Sequence, residues 1–457
     1  VACLSTLIAA FYTVENWRGK RAWERCKRTL EAKGEVLDWN AYIPPPVPSD
    51  QNIFEAPKVR DWLVGRGASE LSRKFTNAAT GSVGSVNVIT NKEEADAYIE
   101  WSDKLEPDFN LIREALRRPY ARIDGDYDQP FAVPLPNFVA LRGLAQTLAQ
   151  RTHCYLLLRQ PEAALRDLTL LRDLTGLLEA KPTGKPMTLV AAMINVAITG
   201  LYTAEIADGL QMHAWREPQL VAIQEQLRGI NLAPVVAEAF RNERAAVTHT
   251  VENTLADKIA DQHIAITGGK TNFWERLKTP LYSYLTFAPR GWVYQNMAVY
   301  SQMVSKYSDC FANDNREIVP RLVKQSQSDV EAALRKKSPY YVLARIAVPN
   351  ASKAVQTLAR NQTLANEAFV ACALERYKLA HGNYPETLDA LVPRFAKGIP
   401  HDVVGSRPLK YRCTSDGQFA LYSIGWNETD DDGVVVTNEN GSLDVENGDW
   451  VWGRITR

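Results

Sequence analysis

The residues best suited to chemistry stand at spacings that complete none of the familiar sites. Asp124-Gly-Asp126-Tyr-Asp128 sets carboxylates at alternate positions, the way a calcium-binding EF-hand loop opens. That loop needs glycine at its sixth position and a bidentate glutamate at its twelfth, where Gln129 and Leu135 stand instead. A turn rich in Asp and Gly accounts for the segment. Ile266-Thr-Gly-Gly-Lys270-Thr271 has the tail of a phosphate-binding loop, but its first glycine is replaced by Ile264, so the backbone nest is not specified. His153, His213, His249, His263, His381 and His401 are scattered, with no H-E-x-x-H pair and no G-x-S-x-G elbow. Cys3, Cys26, Cys154, Cys310, Cys372 and Cys413 lie far apart, which excludes zinc-knuckle and thioredoxin chemistry; most read as small buried hydrophobes. The expectation is a non-enzymatic protein. The alternative from another class is a hydrolase whose site converges in the helical body.

The elements that would position such residues are mostly helical. Across 457 residues, 53 basic side chains balance 53 acidic ones, which excludes a strongly basic nucleic-acid binder and an acidic disordered chain. A hydrophobic share of 46% supports a real core. Residues 58–136 read as a mixed α/β segment, with a strand or ordered loop over 81–89 and helix over 93–118. Residues 137–350 read as a helical body: Phe138, Leu141, Leu144 and Leu148, then Leu165, Leu168 and Leu171, keep helical spacing. Residues 189–210 are apolar around most of their circumference, and Asn195, Thr199, Thr203, Glu205 and Asp208 mark them as a buried core helix rather than a membrane span. The aromatic stretch 273–303 reads as core or domain interface, with a partner-binding surface as the alternative.

The chain opens on an uncharged apolar run, residues 1–14, followed at once by Trp17 and by Arg18, Lys20, Arg21, Arg25, Lys27 and Arg28. Rings and cations in this order suit a membrane–water interface. The run is expected to be part of a single transmembrane anchor, the exit half of a helix that begins before Val1. Residues 15–57 would form a basic helical stalk ending near Gly34, then a stiff spacer over Tyr42-Ile-Pro-Pro-Pro-Val-Pro48. The positive-inside rule alone favours a cytoplasmic body, and charge before Val1 would reverse it.

The last unit, residues 351–457, reads as one long helix ending at His381-Gly382-Asn383, a hairpin around Ser415-Asp416-Gly417, an acidic loop and a closing strand at Asp449-Trp-Val-Trp452. Ala373-Leu-Glu-Arg-Tyr-Lys-Leu-Ala-His-Gly-Asn-Tyr-Pro-Glu-Thr-Leu-Asp-Ala-Leu391, Arg407-Pro-Leu-Lys-Tyr411 and Leu421-Tyr-Ser-Ile-Gly425 resemble the globular head of the major pseudopilins of type II secretion systems. That likeness spans about residues 360–457. Together with Glu15-Asn-Trp-Arg-Gly-Lys-Arg-Ala-Trp23 and the proline spacer, the chain also resembles a group of uncharacterised membrane-anchored bacterial proteins that end in such a head. The resemblance implies an extracytoplasmic head in which a long helix packs on a small antiparallel sheet. It also implies Ca²⁺ in the acidic loop, with Asn427 in the place of a ligating aspartate and Asp430, Asp432 and Asp449 as further oxygen donors. Some 350 residues precede the head, and no prepilin cleavage site is visible, so polymerisation is not expected.

The fold class expected is therefore α+β, mainly α: an N-terminal membrane helix, an irregular helical-bundle body and a pseudopilin-like head. The function expected is a single-pass inner-membrane scaffold or accessory subunit of a bacterial envelope complex, its body periplasmic and its partners proteins rather than nucleic acid. The alternative within that class is a component of a type II secretion-like pseudopilus. Charge supports polarity along the molecule: residues 15–33 carry seven basic and three acidic side chains, residues 401–457 five and ten.

Overall fold

The computed structural model describes residues 2–64, 89–179, 188–257, 288–312, 317–348 and 351–453. Most of these residues are helical. Helix α1 runs Ala2–Glu31 and ends in a turn closed by Gly34, whose φ of +81° is a conformation that glycine adopts freely. Then come α2 (Val59–Leu63), α3 (Lys92–Ser102) and α4 (Glu106–Ala115). The helix expected over 93–118 is divided by a 3₁₀ turn at Asp103–Leu105, and Pro107 sits in the first turn of α4, where its missing N–H leaves no bond unmade. The described part of 58–136 holds helices and 3₁₀ turns, with an isolated bridge at Tyr120 but no strand, so the mixed character expected there is absent from it. Apart from Ile89, the strand or loop expected over 81–89 lies outside the described residues.

The body comprises α5 (Phe138–Leu157), α6 (Pro161–Asp173), α7 (Leu189–Gln211), α8 (Glu217–Arg228), α9 (Leu232–Asp257), α10 (Arg290–Ser308), α11 (Pro320–Leu334) and α12 (Val342–Ala347). The long α13 (Ala351–His381) follows. By length and mean hydropathy (1.6 over its apolar window) α7 could cross a membrane, but 67% of that window is buried against the rest of the protein. It is a core helix, packed among α5, α9 and α13. Val196, Ile198, Tyr202 and Ile206 fill its surroundings, each contributing about 1.5–3 kcal/mol by leaving water. Thr199 and Thr203 return their hydroxyls to the carbonyls of Asn195 and Gly200, so their burial leaves no donor unmet.

A buried charge fastens α3, α4 and α6 to α5. Arg151 on α5 is fully buried and all five of its N–H groups are used: Nε on Asp167 (2.8 Å), Nη1 on Ser102 (2.6 Å) and Asp103 (3.0 Å), Nη2 on Glu106 (3.1 Å) and Tyr155 (3.0 Å). A guanidinium satisfied this completely is tolerable inside, whereas removing one partner would strand the others.

Two antiparallel ladders lie near the C-terminus. Strands β3 (Lys410–Cys413), β4 (Phe419–Ser423) and β7 (Trp450–Val451) pair in the order β3-β4-β7, with Tyr411 opposite Leu421 and Ser423 opposite Trp450. Strands β5 (Val435–Thr437) and β6 (Leu443–Gly448) form a separate hairpin. The short pair β1 (Phe311–Ala312) and β2 (Glu317–Ile318) stands between α10 and α11. One side of α13 packs on α7 and α8 and another on β4, and the main apolar core runs from Trp23 to Trp450. The boundary expected near residue 350 thus falls between two helices, α12 and α13, and is not a break in packing. The proline stretch also differs from its expected role as a lifting spacer. Trp39 is buried and donates to the Tyr127 carbonyl (2.6 Å), Pro44 is buried, and Arg122 Nε donates to the Pro44 carbonyl (3.4 Å), so the segment lies along the body. Of the aromatic cluster, Phe273, Trp274, Tyr282, Tyr284 and Phe287 lie outside the described residues, as does the 266–271 stretch. Tyr300 is buried on α10 as core.

Candidate functional site

On α1 the burial pattern changes abruptly at Glu15. Residues 3–14 are exposed on every side of the helix, while Glu15, Gly19, Trp23, Cys26 and Leu30, at steps of three and four, are buried along a seam against α10. Leu4, Leu7, Ile8, Phe11, Val14 and Trp17 are 48–67% exposed. The two helices cross backbone to backbone: a Cβ on Gly19 would lie 1.9 Å from the Gly291 carbonyl oxygen, and one on Gly291 would lie 1.8 Å from that of Glu15.

Glu15 is the lock of this crossing. Its Oε2 accepts from Trp292 Nε1 (2.8 Å) and the Tyr340 hydroxyl (2.7 Å), and its Oε1 accepts from Arg18 (2.7 Å). Asn16 Oδ1 accepts from the Gly291 amide (2.8 Å) at the start of α10, where the helix dipole also favours the nearby carboxylate. Burial first, then the Glu15 carboxylate, raises the Tyr340 hydroxyl above its ordinary value. Phe11 meets the Trp292 ring edge-on at 6.2 Å, and the Arg21 guanidinium lies 5.3 Å over Trp17. The basic side chains Arg18, Lys20, Arg21 and Arg25 remain exposed. The apolar-then-basic order was legible in the sequence; Glu15 as a lock was not, because its partners lie 277 and 325 residues away.

The acidic loop is organised by its own donors. Asp449 is fully buried, and its Oδ2 accepts from the amides of Asp431 (3.1 Å) and Gly433 (2.6 Å), tying the loop to the turn before β7. Burial, opposed by those amides and assisted by the charges of Asp430 and Asp431, raises the Asp449 carboxyl. Asp430 pairs with Lys410 (2.9 Å) and Tyr422 (3.3 Å), and the Lys410 hydrogen bond lowers its carboxyl. Asn427 accepts from the Thr429 amide and donates to Asp431 (2.9 Å), while the Asp432 carbonyl accepts from Arg412 (3.0 Å). A calcium ion needs roughly six to eight oxygens around one point. Although Asp449 Oδ1 is buried without a hydrogen bond, Asp430, Asp432 and Asp449 do not bring a carboxylate oxygen each within 4.8 Å of one another. The hydrogen bonds to Asp449 and the ion pair with Lys410 make the loop an Asp-rich turn closed by protein groups.

Among the described residues, one group of three His, Cys or acidic side chains does gather its ligand atoms within 4.8 Å: His153 on α5 with Glu205 and Asp208 on α7. His153 Nδ1 lies 2.8 Å from Asp208 Oδ2 and 3.7 Å from Glu205 Oε2, and its Nε2 is 2.9 Å from the Ile89 carbonyl oxygen. His153 and Glu205 are buried; Asp208 keeps a solvent edge. In the sequence the only signal for this site was two acids one turn apart on an otherwise apolar helix. Comparison of the chain with protein-family models, curated proteins and solved structures finds no match.

Proposed function

We propose that this protein is a membrane-anchored, non-enzymatic scaffold of an envelope complex, tethered by the first turns of α1. The observation that carries the reading is the exposure of residues 3–14 on a helix whose continuation is locked into the body. Leaving Leu4, Leu7, Ile8 and Phe11 in water forfeits hydrophobic stabilisation that a bilayer would restore. Residues 2–14 rise roughly 20 Å, enough to reach deep into a hydrocarbon layer of about 30 Å. Trp17 and the exposed Lys20, Arg21 and Arg25 then fall at headgroup level. The lock at Glu15 would transmit this insertion to the body as a fixed orientation, which suits a scaffold that presents one face to its partners. An extracytoplasmic position rests on the pseudopilin-like text of residues 360–457 alone.

Flotation of the full chain with vesicles of mixed neutral and anionic lipid tests the anchor. Wild type is expected to float and to stay bound in high salt, since insertion is not screened as charge attraction is. Leu4→Asp with Leu7→Asp, both side chains being well exposed on the first turns of α1, should abolish flotation while leaving the melting transition unchanged, because a charged residue at bilayer depth costs about 2.5–3.5 kcal/mol. Wild type remaining with the soluble fraction, or leaving the vesicles when salt is raised, would overturn the reading.

A further inference from the structure

We infer that His153, Glu205 and Asp208 form a binding site for one first-row divalent metal ion of the zinc class. The Ile89 carbonyl can only accept a hydrogen bond, so His153 Nε2 carries the hydrogen. In the neutral ring Nδ1 then holds the lone pair, and Nδ1 is the atom that faces Asp208 Oδ2 at 2.8 Å and Glu205 Oε2 at 3.7 Å. A metal ion placed among them could take the Nδ1 lone pair and one oxygen of each carboxylate, since these atoms all lie within 4.8 Å of one another.

The geometry favours the ion. Donors around a tetrahedral zinc with bonds of about 2.0–2.1 Å stand roughly 3.3 Å apart, and the two measured separations straddle that value. A backbone carbonyl on the far nitrogen is the usual device that fixes the tautomer and direction of a metal-bound histidine. Glu205 and Asp208, at i and i+3 on α7, project from one face of a core helix, opposite His153 on α5, so the donors are held by two packed elements. One imidazole with two carboxylates suits zinc better than calcium, which takes oxygen donors in larger number. Asp208, at the solvent edge, gives the ion its way in.

The test uses the full chain carrying Cys3→Ser and Cys413→Ser, so that the two exposed thiols cannot contribute. After chelation and dialysis, titration with Zn²⁺ is followed by calorimetry and metal analysis, with Ca²⁺ as comparator. The expected result is one Zn²⁺ per chain, weak or absent Ca²⁺ binding, and a loss of roughly 100-fold or more in affinity for His153→Gln and for Asp208→Asn. Should either variant fold poorly, X-ray absorption on the zinc-loaded parent decides. One imidazole among nitrogen and oxygen donors at about 2.0–2.2 Å supports the site. A sulfur shell, the absence of stoichiometric binding, or unchanged affinity in both folded variants would overturn it, leaving His153 as an imidazolium paired with Asp208.

Discussion

At the scale of single residues, the C-terminal module contains an acid whose burial makes stability depend on pH. Asp402 is 3% exposed; its Oδ1 accepts from the Val404 amide (3.0 Å) and lies 3.5 Å from the Thr363 hydroxyl. Burial pushes its carboxyl up to about 6 from 3.8, against the pull of hydrogen bonds from Ser423, Val404, Thr363 and Ile424. Glu367, fully buried nearby on α13, is raised well above 4.5, again by burial first, with Arg360 opposing. A folded state that holds its proton more tightly than the unfolded chain is favoured at low pH, so this contribution is lost as pH climbs from about 4 to about 6. Asp402→Asn keeps the shape and cannot ionise. Between about pH 4 and about pH 7, wild type should therefore lose up to about 3 kcal/mol relative to Asp402→Asn, measured by denaturant unfolding at both pH values. Parallel pH profiles for the two proteins would show that Asp402 stays ionised in the fold.

At the scale of elements, the crossing of α1 over α10 has no room for a side chain. Gly19→Ala places its methyl against the Gly291 backbone, which cannot rotate away as a side chain could. The helices must separate, weakening the Glu15 contacts to Trp292 and Tyr340, at a cost of about 1–3 kcal/mol or more. The expected readings are a lower Tm and an altered Trp292 environment; a Tm equal to wild type would mean that the helices do not meet there. This scale also divides what the sequence could tell from what it could not. The exposed apolar turns of α1, the core character of α7 and the hairpin β3–β4 follow from neighbours a few positions apart, and periodicity records such neighbours. Extended backbone in the proline stretch was legible too, but its course was not, because Trp39 and Pro44 are held by Tyr127 and Arg122, some 80 residues on. The closure of the acidic loop was hidden for the same reason: Lys410, twenty residues earlier, supplies the cation that pairs with Asp430. The His153 trio joins two helices, and no local pattern encodes that meeting.

At the scale of the whole molecule, the question is whether the C-terminal unit is a module at all. A docking head appended to a body should fold by itself, with α13 supplying one apolar stripe to its sheet. Instead α13 is buried over most of its length and around much of its circumference, including Val355, Leu358, Leu364, Phe369, Val370 and Leu374. Body and head also share polar bonds. Gln224 on α8 donates to the carbonyls of Phe369 and Phe395, Gln362 accepts from the Leu232 amide, and Arg376 bonds both Glu217 and Gln224. Cutting the chain before α13 would expose the apolar face that meets α7 and α8 and strand each of those groups, and the lost burial alone, at about 1.5–3 kcal/mol per large side chain, rivals the net stability of a small domain. Residues 351–457 expressed alone should accordingly show helix by far-UV circular dichroism but neither fixed aromatic signals nor a cooperative melt. The full chain should instead unfold in one transition reported alike by both probes. A cooperative melt of the isolated fragment would restore the head as an independent unit, and the scaffold would then be a body and a docking domain in series. Without it, body and C-terminal unit form one rigid structure, and under the proposed anchoring a partner bound at the sheet would be held at a set angle to the membrane.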